Sequence, residues 1–182
     1  MKLAVIGMGL MGGSAALAMK RAGTIHSVYA CDMSPEAISD AISMGIAEEG
    51  GSDPAEAART ADVIMVATPV MTMESIFRQI APVMKPDAVV TDIGSVRGMV
   101  QEGARRALGE KFSQYAPCHP IAGGEKPGVR YAFADMFVGK KIISTAEEGM
   151  SARSSISSSR SGSPAAGRLS ACRLNVMTKC LL

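Results

Sequence analysis

Lys2-Leu3-Ala4-Val5-Ile6-Gly7-Met8-Gly9-Leu10-Met11-Gly12-Gly13-Ser14 is the stretch on which the fold turns. After Lys2 it is a short, continuous apolar run that stops at Gly7, which is how a strand buried on both faces of a parallel sheet reads. From Met11 to Ala22 small and apolar residues recur among the helix formers Ala, Leu, Met and Lys. Gly23 then ends the pattern as a glycine just past a helix does. A strand, a glycine turn and a helix are therefore expected in that order.

The alternation persists beyond this unit. Strands are predicted at His26 to Cys31, Val63 to Ala67, Ala88 to Asp92, Tyr115 to Cys118 and Lys140 to Ser144. Helices are predicted at Ser34 to Met44, with Ser34 as N-cap and Pro35 at the first position, and at Met71 to Val83 and Val96 to Leu108. Strands alternating with helices imply right-handed crossovers and an α/β fold, a Rossmann-type doubly wound, mostly parallel sheet. The expected dinucleotide-binding domain covers residues 1–147, and residues 148–182 form a Ser/Arg-rich tail without acidic residues or sustained periodicity, which alone reads as disordered.

Composition narrows the function. With 182 residues, 47% of them apolar, the chain can bury one good core. A net charge of +2 and the lack of a basic stripe interleaved with aromatics give no support to nucleic-acid binding. No run approaches the roughly 20 apolar residues of a membrane span. Cys31, Cys118, Cys172 and Cys180 form no CxxC pair and do not cluster with His26 or His119, so neither a metal site nor a disulfide scaffold is indicated. A soluble protein of the reducing cytoplasm is expected.

Gly7-x-Gly9-x-x-Gly12 stands between the first strand and the first helix. There Gly7 permits the tight turn, Gly9 lets the backbone approach a pyrophosphate, and Gly12 allows close helix packing. With Leu10 and Met11 these residues place a helix N-terminus, with its amide donors and positive dipole end, against the phosphates. Asp32 closes the second strand about 20 residues beyond the last glycine, where a carboxylate accepts from a ribose 2′-hydroxyl and repels a 2′-phosphate, so NAD is preferred over NADP. The structural alternative for Asp32 is a turn residue before Ser34-Pro35. Thr68 and Pro69 leave another strand at its carboxyl end and are candidate cofactor contacts, or simply a turn fixed by proline.

Two later segments, Thr91-Asp92-Ile93-Gly94-Ser95-Val96-Arg97 and His119-Pro120-Ile121-Ala122-Gly123-Gly124-Glu125-Lys126, also follow predicted strands. Taken in order with the glycine turn and Thr68-Pro69-Val70, they resemble the prephenate dehydrogenase family, with its arogenate and cyclohexadienyl relatives, over about residues 2 to 146. The resemblance implies NAD-dependent oxidative decarboxylation of a small-molecule substrate, prephenate or arogenate, in tyrosine biosynthesis. Hydride leaves the ring carbon bearing the hydroxyl for the nicotinamide, the ring carboxylate departs as carbon dioxide, and prephenate becomes 4-hydroxyphenylpyruvate. His119 matches the family's catalytic histidine, an imidazole suited to accept the hydroxyl proton near neutral pH. Ser95 matches the serine beside the nicotinamide, with an N-cap as its structural alternative, and Gly94 accompanies it on the cofactor. Arg97 and Lys126 read as solvated cations, and His26 as structural. Other readings are a β-hydroxyacid dehydrogenase or pyrroline-carboxylate reductase, which share the glycine turn, and a non-catalytic NAD-binding fragment.

The resemblance also implies a sequel that is not readable here, a C-terminal all-helical domain that forms the family's homodimer and carries much of the substrate pocket. Back-translating Ser161 to Leu182 and reading two nucleotides later can give a continuation similar to the family's. Its single aspartate is forced, because Met177 has a single codon and Thr178 begins AC. The expectation is a reading frame lost between about Glu147 and Ala152, with apolar surface left exposed as a consequence.

Overall fold

The computed structural model describes residues 1–143. The predicted tail, the boundary at residue 147, the shift of reading frame, Cys172 and Cys180 lie outside the described residues.

Five strands form one parallel sheet: β1 (Lys2–Ile6), β2 (Ser27–Cys31), β3 (Glu49–Gly51), β4 (Val63–Val66) and β5 (Val89–Asp92), in the order β3-β2-β1-β4-β5. Their connections are α1 (Leu10–Arg21), α2 (Pro35–Ser43), α3 (Pro54–Arg59) and α4 (Val70–Ile80), and α5 (Arg97–Leu108) follows β5. The order reverses at β1, between β2 and β4. An open parallel sheet leaves its ligand crevice at such a point, outside the strands' carboxyl ends.

Side-chain alternation along the strands builds two cores. Leu3, Val5, Val28, Ala30, Val63 and Met65 face α1 and α2. Ala4, Ile6, Tyr29, Cys31, Ile64 and Val66 face α3, α4 and α5 on the other side. β1, β2 and β4 are therefore apolar at successive positions because both of their faces are covered. The helix signals operate as the sequence suggests. Ser34 Oγ accepts from the amide of Ala37 at 3.2 Å with Pro35 at the first position, and Gly23 follows α1 with φ +68°.

The sequence reading missed β3 and α3. Glu49-Gly50-Gly51 has no apolar pattern, and it is a strand because it packs against β2: a Cβ on Gly50 would stand 2.5 Å from the carbonyl oxygen of Ala30. The α3 helix has only six residues, yet its start repeats the signal of α2, with Asp53 Oδ1 accepting from the amide of Ala55 at 2.8 Å and Pro54 next.

The predicted strand Tyr115 to Cys118 is corrected by the structure. Only Tyr115 bridges to the sheet, in parallel with Val90, and the amide of Ala116 donates to Val90 O at 2.8 Å. Pro117 has no amide to continue the ladder. The chain instead forms β6 (His119–Pro120), antiparallel to β7 (Ile142–Ile143), which lies within the strand predicted from Lys140 to Ser144, Ser144 being outside the described residues. Residues between them wrap back over α1, burying Val129, Met136 and Phe137 in the core on that side.

Candidate functional site

The glycine turn separates structural demands from an open space. Gly7 has φ +99°, and a Cβ there would lie 2.7 Å from the carbonyl carbon and oxygen of Ala67, so the turn packs against the exit of β4. A Cβ on Gly12 would lie 2.5 Å from Gly7 O and 2.8 Å from Val5 Cγ1, so α1 can approach β1 only with glycine there. Gly9 differs: its φ is −101°, and a Cβ would meet nothing within 4 Å. No contact within the fold explains this glycine. Gly9 is also the N-cap of α1, which has no side-chain cap and no acidic residue in its first turn, so the amides there face open space at the positive end of the helix.

Asp32 joins that turn to β2. Its Oδ2 accepts from the amide of Met8 at 2.8 Å and its Oδ1 from the amide of Ser34 at 2.9 Å. The carboxylate therefore fixes both the glycine turn and the start of α2, which is the structural role foreseen for it, while it also lines a cleft. This cleft has a volume of about 560 Å³ and opens between the ends of β1 and β2 and the start of α4. Gly7, Asp32, Thr68 and Pro69, all singled out from sequence, contribute to it. Met33, Met71, Ser75 and Gln79 contribute too and were not foreseen. Their signal was the spacing of Met71, Ser75 and Gln79, four apart and so on one side of α4. Thr72 turns its hydroxyl to Pro69 O at 2.8 Å and stands 3.0 Å from Thr68 Oγ1, which stiffens the turn after β4.

Cys31 lies on the floor of the same cleft. Burial, with the negative charges of Asp32, Asp53 and Glu56, pushes its thiol up to about 12, so it stays protonated and poorly nucleophilic.

Ser95 and His119 leave the sheet at the same end. The register of Val90 with Tyr115 means that the chain runs five residues from Val90 to Ser95 and four from Tyr115 to His119. A buried carboxylate ties these two segments together. Asp92 Oδ1 accepts from the amide of Gly94 at 2.7 Å, and Oδ2 accepts from the hydroxyl of Tyr115. Both Asp92 and Tyr115 are completely buried, so the tie lies in a low-dielectric interior where it is strong. Ser95 is exposed, and α5 is capped by Val96 without a side-chain hydrogen bond, so the N-cap alternative for Ser95 fails.

His119 is half-buried, and its Nδ1 is shut off from solvent without a hydrogen-bond partner among the described residues. Leaving such an atom unsatisfied costs about 1–3 kcal/mol. The loop that follows His119 passes over the start of α1, where a Cβ on Gly124 would stand 3.1 Å from Leu10 Cδ2. Farther along, the wrapping segment is pinned to α1 by Ser14 Oγ, which accepts from the amide of Phe133 at 3.0 Å, and by Arg21 with Asp135 at 2.6 Å. Arg130 fastens it to Asp40 of α2 at 2.5 Å. Lys126 lies 5.2 Å above the ring of Tyr131, and His26 is exposed at the entry to β2. Among the described residues no helix is long and apolar enough to cross a membrane, and no three His, Cys, Asp or Glu side chains gather into a metal site.

The chain is similar in sequence and fold to proteins already known. The family described as "Prephenate dehydrogenase, nucleotide-binding domain" matches residues 15–155. A cyclohexadienyl dehydrogenase of Zymomonas mobilis is 32% identical over 143 residues, which make up 79% of this chain and 48% of that protein. Among solved structures, prephenate dehydrogenase from A. aeolicus in complex with hydroxyphenyl propionate and NAD+ is 30% identical with a TM-score of 0.80, covering 99% of this chain and 56% of that one. Synechocystis arogenate dehydrogenase is 27% identical with a TM-score of 0.75, covering 84% of this chain and 52% of that one. The chain thus spans about half the length of the relatives it matches.

Proposed function

Because the chain belongs to the prephenate dehydrogenase family, through its nucleotide-binding domain, we propose that it is the NAD-binding half of an NAD-dependent dehydrogenase that oxidatively decarboxylates prephenate or its amino analogue arogenate. The observation that carries the reading is Gly9, a glycine with no steric reason inside the fold, set at an uncapped helix start beside Asp32. Family membership removes the support for the β-hydroxyacid dehydrogenase and pyrroline-carboxylate reductase readings.

The residues fit the cofactor. Gly7, Gly9, Leu10, Met11 and Gly12 would hold the pyrophosphate at the start of α1, and Asp32 would accept from the ribose hydroxyls while still holding the amides of Met8 and Ser34, since each carboxylate oxygen has two lone pairs. Thr68 and Pro69 line the same cleft, and Gly94 and Ser95 stand at the exit of β5 toward the nicotinamide end. When bound, NAD supplies the hydride acceptor.

His119 takes the proton of the substrate hydroxyl as hydride leaves, which makes that oxygen a ring carbonyl. When carbon dioxide departs, the electron pair of the broken bond passes into the ring, which aromatises with the oxygen as a phenolate, and His119 returns the proton. Ser95 orients the imidazole and the hydroxyl. Asp92 and Tyr115 hold the two segments that carry these groups. The substrate's carboxylates need further contacts, and we assign these to the part of the relatives' length that the chain does not span, together with the homodimer contacts. The free, buried thiol of Cys31 agrees with a cytoplasmic enzyme.

Calorimetric titration of the 182-residue chain with NAD and NADP tests the first step. NAD is expected to bind, and NADP at least about tenfold more weakly because a carboxylate faces its 2′-phosphate. Absence of NAD binding would overturn the proposal. In a protein of the relatives' full length carrying these residues, His119→Asn should lower prephenate turnover by about 10² to 10⁴ while NAD affinity holds. Undiminished turnover would remove His119 from the chemistry.

A further inference from the structure

Two exposed methionines wall the cleft beside Asp32. Met33 directly follows Asp32 at the exit of β2, and Met71 stands in the first turn of α4. Both line the cleft, and their exposures are 85% and 81%. Six other methionines, Met8, Met19, Met65, Met73, Met84 and Met136, are buried in the two cores. A flexible thioether left in water is an adaptable, polarisable surface for a flat aromatic ring, with sulfur–ring contact added to apolar contact. In a dinucleotide laid across the end of this sheet with its ribose at Asp32, the attached base would stand close to Asp32, in the part of the cleft that Met33 and Met71 line.

We propose that Met33 and Met71 clamp the adenine ring of the bound nucleotide and make its affinity sensitive to peroxide, so that oxidation of these two thioethers loosens the cofactor. The inference rests on the nucleotide reading given above. In the oxidation, the thioether sulfur attacks one oxygen of hydrogen peroxide, the O–O bond breaks, and sulfur gives up two electrons to become a sulfoxide while the other oxygen leaves as water. The product is polar and chiral where the clamp had been apolar. The core methionines are shielded from this reaction by burial. Cys31 in the same cleft is a poor competitor for peroxide, because its thiol remains protonated.

The test uses the 182-residue chain, limited treatment with hydrogen peroxide, peptide mass spectrometry and calorimetry. Saturating NAD should slow sulfoxide formation at Met33 and Met71 but not at Met44, which is 42% exposed and outside the cleft. Treated protein should bind NAD at least about fivefold more weakly than untreated protein. In M33L/M71L, whatever its starting affinity, the ratio of treated to untreated affinity should return to near one. NAD binding that leaves the oxidation rates of Met33 and Met71 unchanged, or full oxidation without loss of affinity, overturns the clamp and leaves the nucleotide reading standing. Untreated protein that fails to bind NAD overturns both.

Discussion

Replacing Gly9 with alanine should remove nucleotide binding and leave the fold intact, whereas the same change at Gly12 should damage both. At Gly9 the backbone, with φ −101° and ψ −162°, is open to any residue, and the new methyl meets nothing within 4 Å. Alanine is a poorer N-cap than glycine by up to about 1 kcal/mol. Reduced freedom in the unfolded chain offsets about 0.4–1 kcal/mol of that. The net effect is within about 1 kcal/mol, or roughly 4 °C in melting temperature for a domain of this size. At Gly12 the methyl would lie 2.5 Å from a backbone oxygen that has no rotamer to move into, so helix and strand must separate. Overpacking of that kind costs about 1–3 kcal/mol or more, a fall of roughly 2–12 °C. The phosphates, by contrast, would meet the Gly9 methyl directly, and displacement costing about 1.4 kcal/mol already weakens binding tenfold. Thermal melts followed by circular dichroism, with NAD titration by calorimetry, read the two effects separately. If Gly9→Ala binds NAD as the parent does, the phosphates do not lie on this turn. If it melts as early as Gly12→Ala, Gly9 serves the fold and the central observation loses its meaning.

Three further outcomes follow from the buried and charged groups. Tyr115→Phe removes one hydrogen bond from the wholly buried Asp92 and should cost about 1–3 kcal/mol in urea unfolding, whereas an unchanged midpoint would mean that other contacts satisfy that carboxylate. The Cys31 thiol, raised from 9.0 to about 12 first by burial and then by its acidic neighbours, should react with iodoacetamide at pH 8 about 10²-fold or more slowly than in the denatured chain, as peptide mass spectrometry would show. Because its folded value is the higher one, its share of stability is present below pH 9 and disappears as pH rises toward 12. Glu74 shows the opposite sign. Hydrogen bonds from Arg106, then Arg78, hold its carboxyl down from 4.5 to about 2, so its contribution is present above pH 4.5 and lost as pH falls toward 2. Acid titrations of parent and Glu74→Gln should therefore differ most at neutral pH and converge near pH 2, and parallel curves would contradict the assignment.

The sequence by itself determined the winding of the sheet and the place of the crevice. An apolar run such as Leu3 to Ile6 has to be a doubly covered strand, and glycines at 7, 9 and 12 have to be a turn into a helix, because these are local steric and solvation facts. It also singled out Asp32 by type and position, and Ser95 and His119 through the resemblance that the surrounding motifs carry. Only tertiary structure separated the three glycines into two that the packing requires and one that it does not, since the neighbours that decide this, Ala67 and Val5, belong to other elements. Tertiary structure alone made a strand of Glu49-Gly50-Gly51, whose pairing with β2 owes nothing to an apolar pattern. Proline at 117 broke what periodicity read as a strand, and the bridge at Tyr115 survived because the amide of Ala116 could still reach Val90. The joining of the Ser95 and His119 segments through Asp92 and Tyr115, 23 residues apart in sequence, was decided the same way. A local pattern fixes the path of each segment, but which buried groups meet depends on chain segments that no single stretch contains.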